Sequence, residues 1–249
     1  MGKVLVTAGA KGMGAAIVRA LVAAGHDVVF TVRSSGAAAE QLIADLKAAH
    51  PARSVSTLNV DFADKASVDA LCATLEAAET FYGFVHNAGQ TYDQLAAIMD
   101  QTKAEAVMQV NFFAFTRIVG ALSRPMMRAR TGRIVAIGSV TAERSNQGNA
   151  AYGASKAALA AYCRTLAIES AKRGVTVNVV APGFVDTDMM APYADYRAKM
   201  ESQIPAGRFA KPEEIGALVA FLMAPEAAYV TGATLTIDGG LSAAMGLQR

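Results

Sequence analysis

Tryptophan is absent from the 249-residue chain, cysteine occurs twice and histidine three times, and these scarcities exclude several protein classes at once. Cys72 and Cys163 are widely separated and fit no metal-ligand spacing, so both read as reduced thiols in core or helix positions. His26, His50 and His86 are equally scattered and form no metal cluster. Charge is nearly balanced, with 23 Lys and Arg against 21 Asp and Glu, and there is no long basic run of the kind nucleic-acid binding requires. No uninterrupted apolar run approaches the roughly 18 residues of a membrane-spanning helix. The opening MGKVLVTAGAKG lacks the longer apolar region and cleavage site of a secretory signal, so a cytoplasmic protein is expected. Linkers, repeats and low-complexity tracts are missing too, which predicts one domain over residues 1–249.

What the chain does contain is a regular alternation. Short β-branched runs, KVLVT, DVVFTVRSS, VSTLNV, FYGFVH, RIVAIGS, VTVNVVAP and TLTID, are separated by helical segments such as AAIVRALVAAG and the Ala-rich stretch from Ala154 to Ala161. Alternation of this kind gives a parallel sheet covered by helices on both faces. With 53% hydrophobic residues, the chain can bury a large core.

The first run leads through AGAKGMG directly into a helix, the order strand, glycine-rich turn, helix that a dinucleotide site requires. Gly12 and Gly14 let the backbone approach a diphosphate while helix amides point at it. At the end of the second strand an NAD site usually places an acid for the ribose 2′-hydroxyl, whereas an NADP site accepts an arginine. This chain offers Arg33 beside Ser34 and Ser35, with Lys11 in the turn itself. Two cations and two hydroxyls converging on one phosphate-sized space favour NADPH.

Chemistry is suggested further along. Tyr152 and Lys156 stand four residues apart in YGASKAAL, which on a helix puts them on one face. A lysine ammonium beside a phenol stabilises the phenolate, and this would make usable a group whose ordinary pKa of about 10 is too high for proton transfer near neutrality. Ser139, upstream in RIVAIGSV at a strand end, can hold a substrate oxygen against that phenol.

These motifs, in this order, resemble the short-chain dehydrogenase/reductase family, and most closely its 3-oxoacyl-[acyl carrier protein] reductases. TAGAKGMG is similar to TGxxxGxG, HNAG at residues 86 to 89 to NNAG, VNFFAF carries Asn111 at the family's asparagine position, and APGFVDTDM with GATLTIDGG completes the pattern. The resemblance implies a single Rossmann-type α/β domain, a doubly wound parallel sheet with helices on both faces. It implies Tyr152 as general acid, Ser139 on the substrate oxygen, Lys156 on the nicotinamide ribose and lowering the tyrosine pKa, and Asn111 holding a water that passes protons inward from Lys156. Cofactor contacts are implied for Ala8, Gly9, Ala10, Lys11, Gly12, Met13 and Gly14 in the turn, and for Arg33 and Ser34 at the 2′-phosphate. Asp61 and Phe62 are implied at the adenine, Asn87, Ala88 and Gly89 at a ribose, and Pro182, Gly183, Val185 and Thr187 at the carboxamide and diphosphate. A homotetramer, or at least a homodimer, and an acyl carrier protein partner are also implied.

Three positions depart from the family pattern. Ala8 replaces a glycine and is expected to keep negative φ. His86 replaces an asparagine and reads as a structural brace, and Gln90 stands where relatives carry an aliphatic residue at the substrate mouth. Arg128, Arg130 and Arg133, with Lys172 and Arg173, precede two strands and therefore sit at the sheet edge opposite the cofactor crevice. Helix pairing across a two-fold, through Ala154, Ala157, Ala158 and Ala161, would bring Arg130 and Arg173 beside a neighbour's site as a docking patch for the carrier protein. Solvated cations near helix C-termini are the alternative reading. For the whole chain the alternatives are reduction of a free ketone, sugar or polyketide-like substrate, and a cofactor-sensing regulator without turnover.

Overall fold

The computed structural model describes residues 2–34 and 36–244. The seven β-branched runs form β1 (Lys3–Val6), β2 (Asp27–Val32), β3 (Val55–Asn59), β4 (Gly83–His86), β5 (Gly132–Ile137), β6 (Val175–Pro182) and β7 (Thr234–Ile237). All pair in parallel, in the order β3-β2-β1-β4-β5-β6-β7. The inner strands are buried on both faces and therefore read as continuous apolar runs, while edge strand β7 exposes alternate residues.

Side-chain alternation divides the core into two layers. Val4 and Val6 of β1 join Ile17, Leu21, Leu42, Leu46, Ile215 and Val219, which come from α1 (Gly12–Ala23), α2 (Gly36–Ala49) and α8 (Pro212–Met223). Leu5, between them, joins the opposite layer with Leu71, Phe115, Ile118, Leu122, Leu159 and Cys163. That layer is supplied by α3 (Lys65–Ala77), α5 (Ala114–Ala129) and α6 (Ala150–Ser170), with α4 (Gln101–Met108) packed against α6. A short helix, α7 (Arg197–Glu201), follows a 3₁₀ stretch over Asp188–Tyr196. Each large side chain fully buried in these layers contributes about 1.5–3 kcal/mol.

Between α4 and α5 the chain makes a π turn over Gln109–Phe113. The resulting helical run, Gln101–Ala129, is long and apolar enough on average to cross a membrane, although charged residues interrupt it, and 61% of its apolar window is buried inside the protein. It is a core helix of the second layer, and its apolarity is explained by that burial.

Strand order reverses between β1 and β4, and this is where an open α/β sheet leaves a crevice beyond the carboxyl ends of its strands. Thr7 and Ala8, Arg33, Asp61, Asn87, Ser139 and Gly183 all follow strand ends on that side.

Candidate active site

A cleft of about 460 Å³ opens beside the crevice, lined by Ala8, Ala10, Lys11, Arg33, Ser34, Asp61, Phe62, Ala88 and Gly89 among others. Nine of the expected cofactor positions are thus brought to one wall. Lys11, Arg33 and Ser34 are exposed at its rim, and none of the ion pairs among the described residues engages Lys11 or Arg33. Ser35 lies outside the described residues. The Asp61 carboxylate accepts from the Ala63 amide at 2.9 Å, which fixes it at the mouth of the cleft.

The glycine turn is tight for a stated reason. A Cβ on Gly14 would lie 2.0 Å from the Ala8 carbonyl oxygen and 2.8 Å from Asn87 Nδ2, so only glycine fits. At Gly12, with φ of +51°, it would meet the Thr187 methyl at 3.3 Å, which places Thr187 against the turn from across the sheet. Gly9 packs on the Phe30 ring, while Ala10 and Met13 are partly buried against the first core layer. The N-terminus of α1 has no side-chain cap, so its first-turn amides remain available to an anion.

Ala8 corrects an expectation: its φ is +53°, in the left-handed region. Its amide donates to Thr31 Oγ1 at 2.9 Å and its carbonyl accepts from Asn87 Nδ2 at 3.1 Å. These two contacts hold the conformation that glycine would adopt without strain. Asn87 also donates to the Thr7 carbonyl at 3.2 Å, while its Oδ1 is buried without a partner and remains an acceptor for a ligand hydroxyl.

On the other side of the crevice, Ser139 lies just beyond β5 and lines a second cavity of about 210 Å³ together with Lys156. The Ser139 hydroxyl accepts from Thr141 Oγ1 at 2.8 Å and lies beside the Tyr152 phenol, where it lowers the phenol pKa. Burial nevertheless dominates and pushes Tyr152 above its usual value, with the Asp93 charge adding to the rise. Lys156 does not reverse this. Its ammonium donates to the Ile137 carbonyl at 2.8 Å and sits 5.7 Å from the Tyr152 ring centroid. Burial pulls Lys156 itself down to about 8. The pair shares a helix face as the spacing required, but the lowered tyrosine pKa expected from that spacing is not present in this arrangement.

Asn111, in the π turn, is fully buried and spends its amide on positioning. Nδ2 donates to the Gln90 carbonyl at 3.1 Å and to Ser155 Oγ at 2.9 Å, and Oδ1 accepts from the Gln90 amide at 2.9 Å. Ser155 then donates to the Tyr152 carbonyl at 2.7 Å, so Asn111 is tied to α6 through a residue that sequence reasoning did not assign. Its place inside YGASK was the only sign. Thr7 was missed likewise: its hydroxyl accepts from the Asn87 and Ala88 amides, both at 2.9 Å, and anchors the NAG segment to β1. Gln90 contributes its backbone to this clamp.

Pro182 ends β6, and the Gly183 amide donates to the Ile237 carbonyl at 3.1 Å. Val185 is buried, with Thr187 Oγ1 donating to its carbonyl at 3.5 Å. Far from this crevice, Arg130 caps α5 with φ of +55° and donates to the Lys172 carbonyl at 3.3 Å. Arg130 and Arg173 are both exposed on adjoining loops at the amino-terminal edge of the sheet. Arg133 does not belong to this patch: it is 7% exposed, bonded to the Gly132 carbonyl and stacked over Tyr82.

Residues 7–242 match the family model described as enoyl-(acyl carrier protein) reductase. The chain is 40% identical over 242 residues to the 3-oxoacyl-[acyl-carrier-protein] reductase FabG of Escherichia coli, covering 95% of this chain and 96% of that protein. It is 39% identical to the same-named protein of Vibrio cholerae, covering 96% and 97%. Among solved structures, a short-chain dehydrogenase/reductase from Serratia marcescens superposes with a TM-score of 0.89 at 32% identity, covering 97% and 98%. With the glycine turn, the Ser139, Tyr152 and Lys156 cluster and the sheet order in place, the chain belongs to the short-chain dehydrogenase/reductase family and resembles its 3-oxoacyl-[acyl-carrier-protein] reductases over nearly its whole length.

Proposed function

We propose that this protein reduces the 3-oxo group of an acyl thioester carried by acyl carrier protein to the 3-hydroxyl, using NADPH. The observation that carries the reading is the Ser139 hydroxyl beside the Tyr152 phenol, above a buried lysine and next to a cleft with two available cations at its rim. The full-length likeness to proteins of that name supports the thioester substrate.

The residues present fit the cofactor. Lys11, Arg33 and Ser34 would hold the 2′-phosphate, Asp61 and Phe62 the adenine, and the α1 amides with Gly12 and Thr187 the diphosphate. The orphaned Asn87 Oδ1 would accept from a ribose hydroxyl. When bound, NADPH supplies the hydride. Ser139 holds the ketone oxygen, and Tyr152 gives that oxygen a proton. The Lys156 ammonium, anchored on Ile137, favours the phenolate left behind and binds the nicotinamide ribose. Asn111 fixes Gln90 and the catalytic helix, and supports a water that returns protons toward Lys156. Pro182, Gly183 and Val185 line the nicotinamide end.

Arg130 and Arg173 form the docking patch for the acidic carrier protein, reached across a subunit boundary. Phe113, Ala154, Ala161 and Ile168 are exposed on the helices that would pair, which supports a homotetramer or at least a homodimer. We place this assembly in the cytoplasm and treat residues 1–249 as one functional domain. Since the matched family description names enoyl reduction, the test includes that chemistry. Mixing NADPH separately with acetoacetyl thioester, crotonyl thioester and a free ketone, and following nicotinamide absorbance, distinguishes the readings. Fast oxidation with acetoacetyl thioester is expected. Preference for crotonyl thioester or the free ketone overturns the assignment, and cofactor binding without any turnover leaves the regulator.

A further inference from the structure

We propose that Thr141 is a positioning residue: its hydroxyl donates to Ser139 Oγ and thereby commits the one hydroxyl hydrogen of Ser139 to the oxygen of the substrate. This deepens the ketone-reduction reading above and rests on it for its kinetic consequence, while the orientation of the two hydroxyls is testable without turnover. Ser139 begins a single 3₁₀ turn over Val140–Ala142, with its own backbone extended. In that place a serine caps the turn: its Oγ accepts from the Thr141 amide at 3.2 Å, as N-cap side chains do. The Thr141 hydroxyl lies 2.8 Å from the same oxygen. A hydroxyl has two lone pairs and one hydrogen. The amide can only donate, and it takes the first lone pair of Ser139. A ketone oxygen can only accept, so holding it takes the Ser139 hydrogen. Only the second lone pair is then left for Thr141, which must be the donor.

The surrounding backbone holds Thr141 in this place. The turn is closed on either side of it, by the Ala142 amide donating to the Ser139 carbonyl at 3.1 Å and the Arg144 amide donating to the Val140 carbonyl at 2.9 Å. The turn also packs directly on α6 beside Tyr152. A Cβ on Gly153 would crowd the Thr141 carbonyl oxygen at 3.0 Å, so the glycine that follows the tyrosine lets the two segments approach. The donor chain thus runs from Thr141 Oγ1 to Ser139 Oγ and on to the side where the Tyr152 phenol stands. Hydrogen bonds in a chain polarise one another, so a hydroxyl that receives one is the better donor. The gain is largest when negative charge builds on the ketone oxygen during reduction, and a donor already aimed at that oxygen needs no reorientation at that moment. Without the Thr141 hydroxyl, the Ser139 hydrogen loses its fixed direction.

Neutron diffraction from a deuterated crystal of the wild-type protein reads the orientation directly. The Thr141 deuterium should lie between Thr141 Oγ1 and Ser139 Oγ, with the Ser139 deuterium turned away toward Tyr152. A Ser139 deuterium lying between the two hydroxyls overturns the proposal whether or not the enzyme reduces ketones. Kinetics with NADPH, and with whichever of the carbonyl substrates named above the wild type reduces, test the consequence. Thr141→Val keeps the shape and removes the hydroxyl. It should lower kcat about fivefold, the equivalent of one hydrogen bond. KM and NADPH affinity should change little, because the loss falls on the transition state. Thr141→Ser, which keeps the hydroxyl, should hold kcat near the wild-type value. Unchanged kcat in a folded Thr141→Val protein refutes the positioning role, as does a Thr141→Ser protein that loses as much as the valine variant. A loss that shows in KM or NADPH affinity instead of kcat also refutes it, since that marks a loosened turn. Should Thr141→Val not fold, judged by circular dichroism, Thr141→Ala replaces it with the same criteria. Absence of turnover by the wild type would sink the reductase reading and leave the neutron result to decide the hydroxyl geometry.

Discussion

Ala8→Gly should make the protein more stable, which is unusual for a glycine substitution. Ala8 sits at φ of +53°, a conformation that costs an L-residue about 1–2 kcal/mol because Cβ crowds the following carbonyl oxygen. Glycine removes that crowding but adds about 0.5–1 kcal/mol of unfolded-chain entropy to be lost on folding. The difference leaves a net gain of about 0.5–1 kcal/mol. No side-chain contact is given up beyond a methyl, since the Ala8 bonds to Thr31 and Asn87 are made by its backbone. For a chain of this size 1 kcal/mol moves the melting temperature by roughly 2–4 °C, so a rise of about 1–4 °C is expected. Urea unfolding followed by circular dichroism gives the same quantity at constant temperature, as a higher midpoint with an unchanged slope. A lower midpoint would mean that the left-handed turn is not strained in solution, and the explanation of Ala8 as a tolerated replacement would fail.

Tyr152→Phe should bind NADPH as before and abolish ketone reduction, because the ring still packs and only the proton is missing; reduction by a folded variant removes Tyr152 from the mechanism. Arg33→Asp should weaken NADPH strongly, by roughly the 1.5–3 kcal/mol of a charge-assisted contact, and NADH little; equal losses in titrations of both cofactors would make Arg33 structural. Arg130→Glu with Arg173→Glu should raise KM for carrier-bound substrate and leave a small thioester unaffected, with the effect fading in high salt. Identical responses in an oligomer of unchanged size sink the docking patch. Burial pulls Lys156 from 10.5 to about 8, so between those values the unfolded chain binds more protons and this lysine makes stability rise with pH. Lys156→Met should remove that rise, and the difference between variant and parent, measured by urea unfolding from pH 7 to 10, isolates it from the tyrosines and cysteines that titrate alongside.

The seven strands, the glycine turn into α1 and the shared face of Tyr152 and Lys156 were legible in the amino-acid sequence because each depends on local rules: β-branched runs, glycine spacing and the helical i, i+4 interval. The gathering of the expected cofactor positions along one cleft was legible for the same reason, since those residues follow strand ends and the strands have a known order in a doubly wound sheet. What tertiary structure decided depends on contacts between distant segments. The sign of φ at Ala8 is set by Asn87, 79 residues away in the chain. Arg133 left the basic patch because its strand is interior to the sheet, and a position before a strand does not reveal how deeply the side chain is buried. Lys156 turned to the Ile137 carbonyl because β5 presents an acceptor there, and burial overrode the electrostatic benefit to Tyr152 that spacing alone implied. The hydrogen bonds of Asn111 in the π turn, and those of the Thr7 hydroxyl with the Asn87 and Ala88 amides, had no local pattern to announce them. They exist because buried polar groups must find partners wherever the folded chain brings them together.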